Sequence, residues 1–261
     1  MKRITSLMLL MLCIALGANA QIKRTPKISI LGDSYSTFEG YMATDTNAIW
    51  YFKPENPNVQ KNNDVRKVEE TWWYQVIQRV EGKLELNNSF SGSTVCFSGY
   101  KKDTCPRVPV AGLEEFADYS NRSFVNRTNK LGEPDIILIC AATNDAWCGA
   151  PVGDYYYGNQ TKEQLYTFRP AMAKMIADLQ TNYPKARLLF ILNTDLREEI
   201  SESIHTILNH YNVPCLDLQD IDKQEGHPSV QGMKQIADQV VNYLTTNFRR
   251  YRLTSSVAKK E

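Results

Sequence analysis

The chain of 261 residues lacks the sequence signatures of several common classes of protein. It contains no Gly-x-Gly-x-x-Gly segment and no Walker phosphate loop, so nothing in it predicts nucleotide binding. Its 30 basic and 29 acidic residues nearly cancel, and this balance gives no reason to expect a nucleic-acid partner. Long apolar runs are missing after the first twenty residues, so we expect no membrane span in the remainder.

Cysteine and histidine are also scarce. Five cysteines follow the first twenty residues, and this odd number leaves at least one thiol unpaired. None has metal-ligand spacing, so we expect no metal and no cofactor, while the sequence leaves the disulfide pattern open. Of the three histidines, His205 and His210 lie in or just after a predicted helix, carry no matching partner, and are expected to be ordinary surface or core residues.

The first twenty residues have the pattern of a secretory signal peptide. A basic start precedes a mostly apolar run over residues 7–16, and an A-x-A cleavage pattern ends at Ala20. The apolar run is too short to span a bilayer. We therefore expect a signal peptide over residues 1–20, export to the periplasm or out of the cell, and a single domain over residues 21–261.

The rest of the chain alternates between short apolar runs and segments with helical spacing of apolar residues. The predicted strands are Lys27–Leu31, Leu84–Asn88, Asp135–Ala141, Arg187–Leu192 and Val213–Leu218. The predicted helices are Thr71–Val80, Glu163–Tyr183, Arg197–Tyr211 and Ser229–Phe248. The third and fourth strands are continuously apolar, which is typical of strands covered on both faces. We therefore predict an α/β fold, a three-layer α/β/α sandwich with a five-stranded parallel sheet of the flavodoxin-like type.

Polar residues follow the strand ends and open the last helix. Ser34 ends a Gly-Asp-Ser turn after the first strand, Gly92 follows the second, Asn144 follows the third, and His227 precedes the final helix. Because ligands of open α/β sheets bind at the carboxyl ends of the strands, we expect these residues to meet there. Acyl transfer needs such a set: a nucleophile, a base, and donors for a developing oxyanion.

Four separate sequence blocks thus carry Ser34, Gly92, Asn144 and His227. In these blocks the chain resembles the SGNH-hydrolase superfamily, also known as GDSL-like esterases and lipases. The resemblance spans the predicted domain, although Ala142 stands where a glycine is usual in the third block. It implies that Ser34 is the nucleophile and His227 the general base. It also implies an oxyanion hole formed by the backbone N–H groups of Ser34 and Gly92 with the side-chain amide of Asn144.

One position departs from the family pattern. The family usually has an aspartate three residues before the histidine, but this chain has Gln224 there. Asp222 is our tentative third catalytic residue, if the loop before His227 bulges, and Glu225 is a second candidate. The remaining alternative is a Ser–His dyad, with Gln224 or a backbone carbonyl holding the imidazole.

The aromatic residues near the strand ends suggest a substrate. Trp50, Tyr51 and Trp147 fall in segments that leave carboxyl ends of strands, and aromatic faces suit the flat apolar faces of sugar rings. We expect an exported serine esterase that removes small acyl groups, acetyl first among them, from a small-molecule or glycan ester. The alternatives are a lysophospholipase or thioesterase-type lipid esterase, and a catalytically inactive carbohydrate-binding relative.

Overall fold

A computed structural model describes residues 25–248, and its centre is a five-stranded sheet in the order β2-β1-β5-β6-β7. Every pairing within this sheet is parallel. The strands are β1 (Lys27–Gly32), β2 (Lys83–Asn87), β3 (Ser98–Gly99), β4 (Ala117–Asp118), β5 (Ile136–Cys140), β6 (Arg187–Leu192), β7 (Cys215–Asp217), β8 (Lys223–Gln224) and β9 (His227–Pro228). The predicted sheet is thereby confirmed, with all five strands in their expected places.

Helices cover both faces of the sheet. The α-helices are α1 (Trp72–Arg79), α2 (Thr143–Cys148), α3 (Phe168–Asn182), α4 (Glu198–His210) and α5 (Val230–Asn247). Short 3-10 turns cover Ser34–Ser36, Val68–Glu70, Val125–Arg127 and Gln164–Tyr166. None of the described helices is both long and apolar enough to cross a membrane. The predicted signal peptide lies outside the described residues.

The central strand β5 shows why the sheet has a core on each side. Successive side chains of a strand point to opposite faces. Ile137 and Ile139 pack in the core that α3 and α4 cover, whereas Ile136 and Leu138 pack in the core that α1 and α5 cover. The continuous apolar run in the sequence is thus a strand buried on both faces.

Two long segments follow β1 and β2. The segment after β1 reaches across the sheet edge, where the Tyr51 hydroxyl and the Asn63 side-chain amide both donate to the carbonyl of Pro228, at 2.9 and 3.1 Å. The segment after β2 contains the small β3–β4 hairpin and the turn at Val125–Arg127. Both segments therefore lie against the carboxyl end of the sheet.

Two short elements at this end were not predicted. Helix α2 starts directly after β5, with Ala142 in the left-handed conformation at its N-cap (φ 77°). The β8–β9 hairpin turns through Glu225 and Gly226, which both have positive φ (49° and 75°). Two central residues with positive φ form the tight turn that suits the twist of a hairpin. These elements carry the asparagine and the histidine of the predicted site.

Candidate active site

Ser34 and His227 meet at the carboxyl end of the sheet. Ser34 is the first residue of the 3-10 turn after β1, and the Asp33 carboxylate caps that turn by accepting from the N–H of Tyr35 at 3.0 Å. Ser34 Oγ lies 2.9 Å from His227 Nε2, and both side chains are almost fully buried. This is the hydrogen bond between a nucleophile and its base that covalent catalysis requires.

The hairpin turn before His227 fixes the orientation of the imidazole. His227 Nδ1 lies 3.1 Å from the backbone carbonyl of Glu225, which can only accept a hydrogen bond. The proton of the neutral ring therefore resides on Nδ1, and Nε2 faces Ser34 with its lone pair. A general base needs this tautomer.

Two tyrosines hold the loop that carries the histidine. The Tyr35 hydroxyl donates to the carbonyl of Gly226, and the Tyr51 hydroxyl donates to the carbonyl of Pro228. Tyr51 is 1% exposed, so its ring is part of the core and offers no face to a substrate. The structure therefore gives Tyr51 a supporting position in place of the predicted substrate contact.

The imidazole of His227 is enclosed by aromatic rings. Trp50 stacks on it at 3.6 Å between centroids and 8° between planes, and Trp147 meets it edge-on at 5.7 Å. Tyr35 lies 5.3 Å from the same ring. Trp147 is 44% exposed, and it remains the predicted aromatic residue with the most surface open to a ligand.

The three predicted oxyanion donors lie in the segments that follow β1, β2 and β5. Gly92 has φ +77°, a conformation that favours glycine, and within residues 25–248 neither its N–H nor that of Ser34 has a hydrogen-bond partner. Asn144 donates from Nδ2 to the carbonyl of Ser93 at 3.0 Å and accepts at Oδ1 from the Tyr100 hydroxyl at 2.8 Å. Tyr100 thus fixes the amide so that Nδ2, with a second proton, is the donating side.

Comparison with known proteins agrees with this geometry. The family model "GDSL-like Lipase/Acylhydrolase" matches residues 26–244. The chain belongs to this family. Its members are ester-hydrolysing serine hydrolases, and the Ser34 and His227 pair lies within the matched range. No curated protein matches the sequence significantly.

Solved structures of GDSL-like proteins resemble the chain over most of its length. A candidate GDSL-like lipase from Bacteroides ovatus is 48% identical, covers 85% of this chain and 98% of its own, and superposes with a TM-score of 0.76. One from Bacteroides uniformis is also 48% identical, with coverages of 87% and 99% and a TM-score of 0.78. A family two carbohydrate esterase from Clostridium thermocellum shares the fold at 16% identity, with coverages of 87% and 65% and a TM-score of 0.52.

This GDSL-like protein does not bring Asp222 to the imidazole. The Asp222 carboxylate accepts a hydrogen bond from the Ser229 hydroxyl, which caps α5 by accepting from the N–H of Gly232 at 3.1 Å. His227 Nδ1 faces the Glu225 carbonyl instead. The hairpin turn, and not the bulged loop that we expected, sets this arrangement, because it folds the backbone carbonyl back onto the ring.

The two other candidate groups also point elsewhere. Gln224 accepts from the N–H of Asp64 at 2.8 Å, and the Glu225 carboxylate accepts from the side chain of Asn62. The segment after β1 therefore engages both side chains, and only the backbone of Glu225 reaches the base. The sequence signal for this was the Glu-Gly pair before the histidine, a dipeptide that suits a tight turn.

Burial sets the charge of the base. Desolvation lowers the pKa of His227 to about 4, while the Glu225 carbonyl and carboxylate oppose that shift. The neutral imidazole is therefore the form present at neutral pH. This state is ready to accept the Ser34 proton.

Asp145 organises the loop on the other side of the site. Its buried carboxylate accepts from the N–H groups of Val95 (2.8 and 3.0 Å) and Cys96 (3.2 Å). Burial raises the pKa of Asp145 to about 6, and these N–H donors oppose the shift. Asp145 therefore joins α2 to the segment after Gly92 and takes no part in the chemistry.

Within residues 25–248, no cysteine and neither of the other two histidines makes a hydrogen bond to Ser34 Oγ or to the His227 ring. All five cysteines within the described residues are free thiols. The prediction that His205 lacks a partner was wrong, because its Nε2 lies 3.2 Å from the carboxylate of Asp217, which also contacts Cys215. These three groups have metal-ligating chemistry and their ligand atoms lie within 4.8 Å of one another. They belong to α4 and the edge strand β7, three positions from β1 in the sheet.

The His227 imidazole is buried and, among the described residues, has no carboxylate on its ring. We therefore predict that the acidic side of the pH–kcat/KM profile lies at unusually low pH. Activity needs neutral His227, and a lowered pKa keeps that form down to lower pH than an ordinary histidine, so kcat/KM should fall only as the pH approaches about 4. The measurement is a pH–kcat/KM profile with p-nitrophenyl acetate. Asp222→Asn is the matched control and should leave the midpoint unchanged. A midpoint at or above an ordinary histidine pKa of about 6.5, lowered by Asp222→Asn, would show a carboxylate on the ring.

Proposed function

We propose that this GDSL-like protein is a serine esterase that removes small acyl groups from carbohydrate, with Ser34 as nucleophile and His227 as general base. The observation that carries the proposal is the 2.9 Å contact between Ser34 Oγ and His227 Nε2. The N–H groups of Ser34 and Gly92 and the amide of Asn144 complete the set of groups that acyl transfer needs.

The geometry supports a two-step reaction. His227 Nε2 takes the proton of Ser34 as Oγ attacks the ester carbonyl, and the carbonyl oxygen becomes an oxyanion beside the three donors. The imidazolium then gives this proton to the leaving alcohol, and an acyl-serine forms. Water attacks the acyl-serine with the same base, which releases the acid and restores Ser34. The Glu225 carbonyl, facing Nδ1–H, orients the ring during both proton transfers.

The open side of the site suits a sugar ring better than a long acyl chain. Trp147 is 44% exposed and lies edge-on to the imidazole, and Trp50 is half-buried and stacks on that ring. Aromatic faces of this kind pack against the apolar faces of sugars. In support, a family two carbohydrate esterase from Clostridium thermocellum that shares the fold was solved with cellohexaose.

Lipid ester hydrolysis is the second candidate. The observation that favours it is the 48% identity to two proteins described as candidate GDSL-like lipases. The same nucleophile, base and oxyanion donors would serve either substrate. The acyl chain length that the site accepts separates the two functions.

Substrate hydrolysis by matched variants tests the proposal. We expect acetate release from acetylated xylan and a preference for acetyl over long-chain p-nitrophenyl esters. Ser34→Ala should abolish both hydrolysis and labelling by a fluorophosphonate, because it removes the attacking oxygen. Ser201→Ala is the control, since this serine lies on α4 outside the loops of the proposed machinery. Faster cleavage of long-chain esters would favour the lipid function, and an active Ser34→Ala would contradict the proposed nucleophile.

We also propose that the protein is exported after cleavage of residues 1–20. The support is the basic start, apolar run and A-x-A pattern of that segment. Mass spectrometry of the protein from its native host should find an N-terminus at Gln21. An intact N-terminus, or a lipid on Cys13, would contradict this proposal.

A further inference from the structure

A buried arginine lies between the strand ends that carry the proposed catalytic groups. Arg127 ends the 3-10 turn in the long segment after β2 and is 4% exposed. Burial lowers the pKa of its guanidinium to about 9, and the buried carboxyl of Asp33 opposes that shift. A charged side chain is almost never fully buried unless its charge and donors are matched. Its contacts therefore show what holds it there.

The guanidinium donates to oxygens at the end of β1 and at two places in the segment after β2. One Nη donates to the carbonyl of Asn88 after β2. The other donates to the carbonyl of Gly32 at 3.3 Å and to Ser93 Oγ at 2.9 Å. Arg127 thereby joins the end of β1, two residues before Ser34, to the loop that contains Gly92.

Ser93 connects Arg127 to the proposed oxyanion donors. Its hydroxyl accepts from Arg127 and donates to the carbonyl of Phe90 at 2.8 Å, which closes the turn around Gly92. Its carbonyl accepts from Asn144 Nδ2 at 3.0 Å. Ser93 is thus the shared contact of Arg127, the glycine turn and the asparagine.

We propose that Arg127 is a positioning residue of the oxyanion hole. Acting through Ser93, it holds the Gly92 N–H and the Asn144 amide at a fixed place relative to Ser34. This inference rests on the proposed function, since it takes those three donors as the oxyanion hole. Preorganised donors stabilise a transition state only when they need no rearrangement as charge develops. Arg127 supplies that fixation without touching the substrate.

The shape of arginine is needed for this position. Its planar fork presents several N–H donors in fixed directions, so that one group reaches the end of β1 and two places in the segment after β2. A lysine ammonium is a point charge on a flexible stem and cannot reproduce the same set of contacts. Arg127→Lys therefore keeps the charge opposite Asp33 but loses the link between β1 and Ser93.

The test compares Arg127→Met and Arg127→Lys with a matched arginine in the same segment. Arg107 is exposed and donates to the carbonyls of Lys101 at 2.7 Å and Glu115 at 3.3 Å, so Arg107→Met perturbs this segment away from the oxyanion loop. For p-nitrophenyl acetate we expect kcat of both Arg127 variants to fall about 100-fold, the scale of losing one oxyanion donor, with little change in KM. The rate of fluorophosphonate labelling should fall in parallel, whereas Arg107→Met should keep both rates.

Two further measurements separate positioning from simple stability. Millimolar guanidinium should restore kcat of Arg127→Ala in a saturable way, and an equal concentration of ammonium should not. Ser93→Ala should also lower kcat in a folded protein, and Arg127→Met should cost little more when Ser93 is already alanine, because both act through one contact. The kcat of Ser93→Ala tests whether positioning through Ser93 matters even if the Arg127 variants fold poorly.

Three results would overturn the inference: unchanged kcat in folded Arg127→Met, unchanged kcat in Ser93→Ala, or independent losses that multiply in the double variant. A lower melting temperature with unchanged kcat would assign Arg127 to stability alone. Failure of the proposed function has a different signature, since Ser34→Ala would then retain activity or fluorophosphonate labelling.

Discussion

The hydrogen bond between Ser34 and His227 is the interaction on which the functional arrangement depends. Its two partners come from opposite ends of the domain, one after the first strand and the other just before the last helix. The three-layer α/β/α topology brings them together, because β1 lies inside the sheet and α5 covers the face beside it. The hydroxyls of Tyr35 and Tyr51 then hold the histidine loop in place.

The base of this site is oriented without a carboxylate on its ring. A backbone carbonyl faces His227 Nδ1, and a tryptophan lies flat on the imidazole. A carbonyl accepts the ring proton but carries no charge to stabilise an imidazolium. In the proposed mechanism the oxyanion donors therefore carry a large share of the transition-state stabilisation, which makes their fixed geometry important. This rigidity comes from buried groups that bind the loops around Gly92. Asp145 and Arg127 are two of these groups.

Much of this arrangement could be predicted from the sequence. The continuous apolar runs of β5 and β6 predicted a doubly covered parallel sheet, and the four polar blocks predicted which residues meet at its edge. Such signals are local or periodic, so they can be recognised in a single sequence. The group that faces His227 Nδ1 was harder to predict, because it is the backbone carbonyl of Glu225. Its position depends on a two-residue hairpin turn in which Glu225 has positive φ.

Contacts between distant segments were not predictable in the same way. Nothing in the sequence around Arg127 shows that its guanidinium joins the ends of β1 and β2 to Ser93. Tyr51 looked like a ligand-binding aromatic residue but is buried by the segment after β1, which folds over the histidine loop. Burial of this kind depends on how long segments pack, and local sequence patterns do not predict it.

The crystal structure of the protein after reaction with a fluorophosphonate tests the central claim most directly. The account predicts a bond from phosphorus to Ser34 Oγ, with one phosphonyl oxygen about 2.7–3.1 Å from the N–H groups of Ser34 and Gly92 and from Asn144 Nδ2. His227 Nδ1 should still face the Glu225 carbonyl. An adduct on another residue, a phosphonyl oxygen turned away from Gly92 and Asn144, or an imidazole bonded to Asp222 would contradict it.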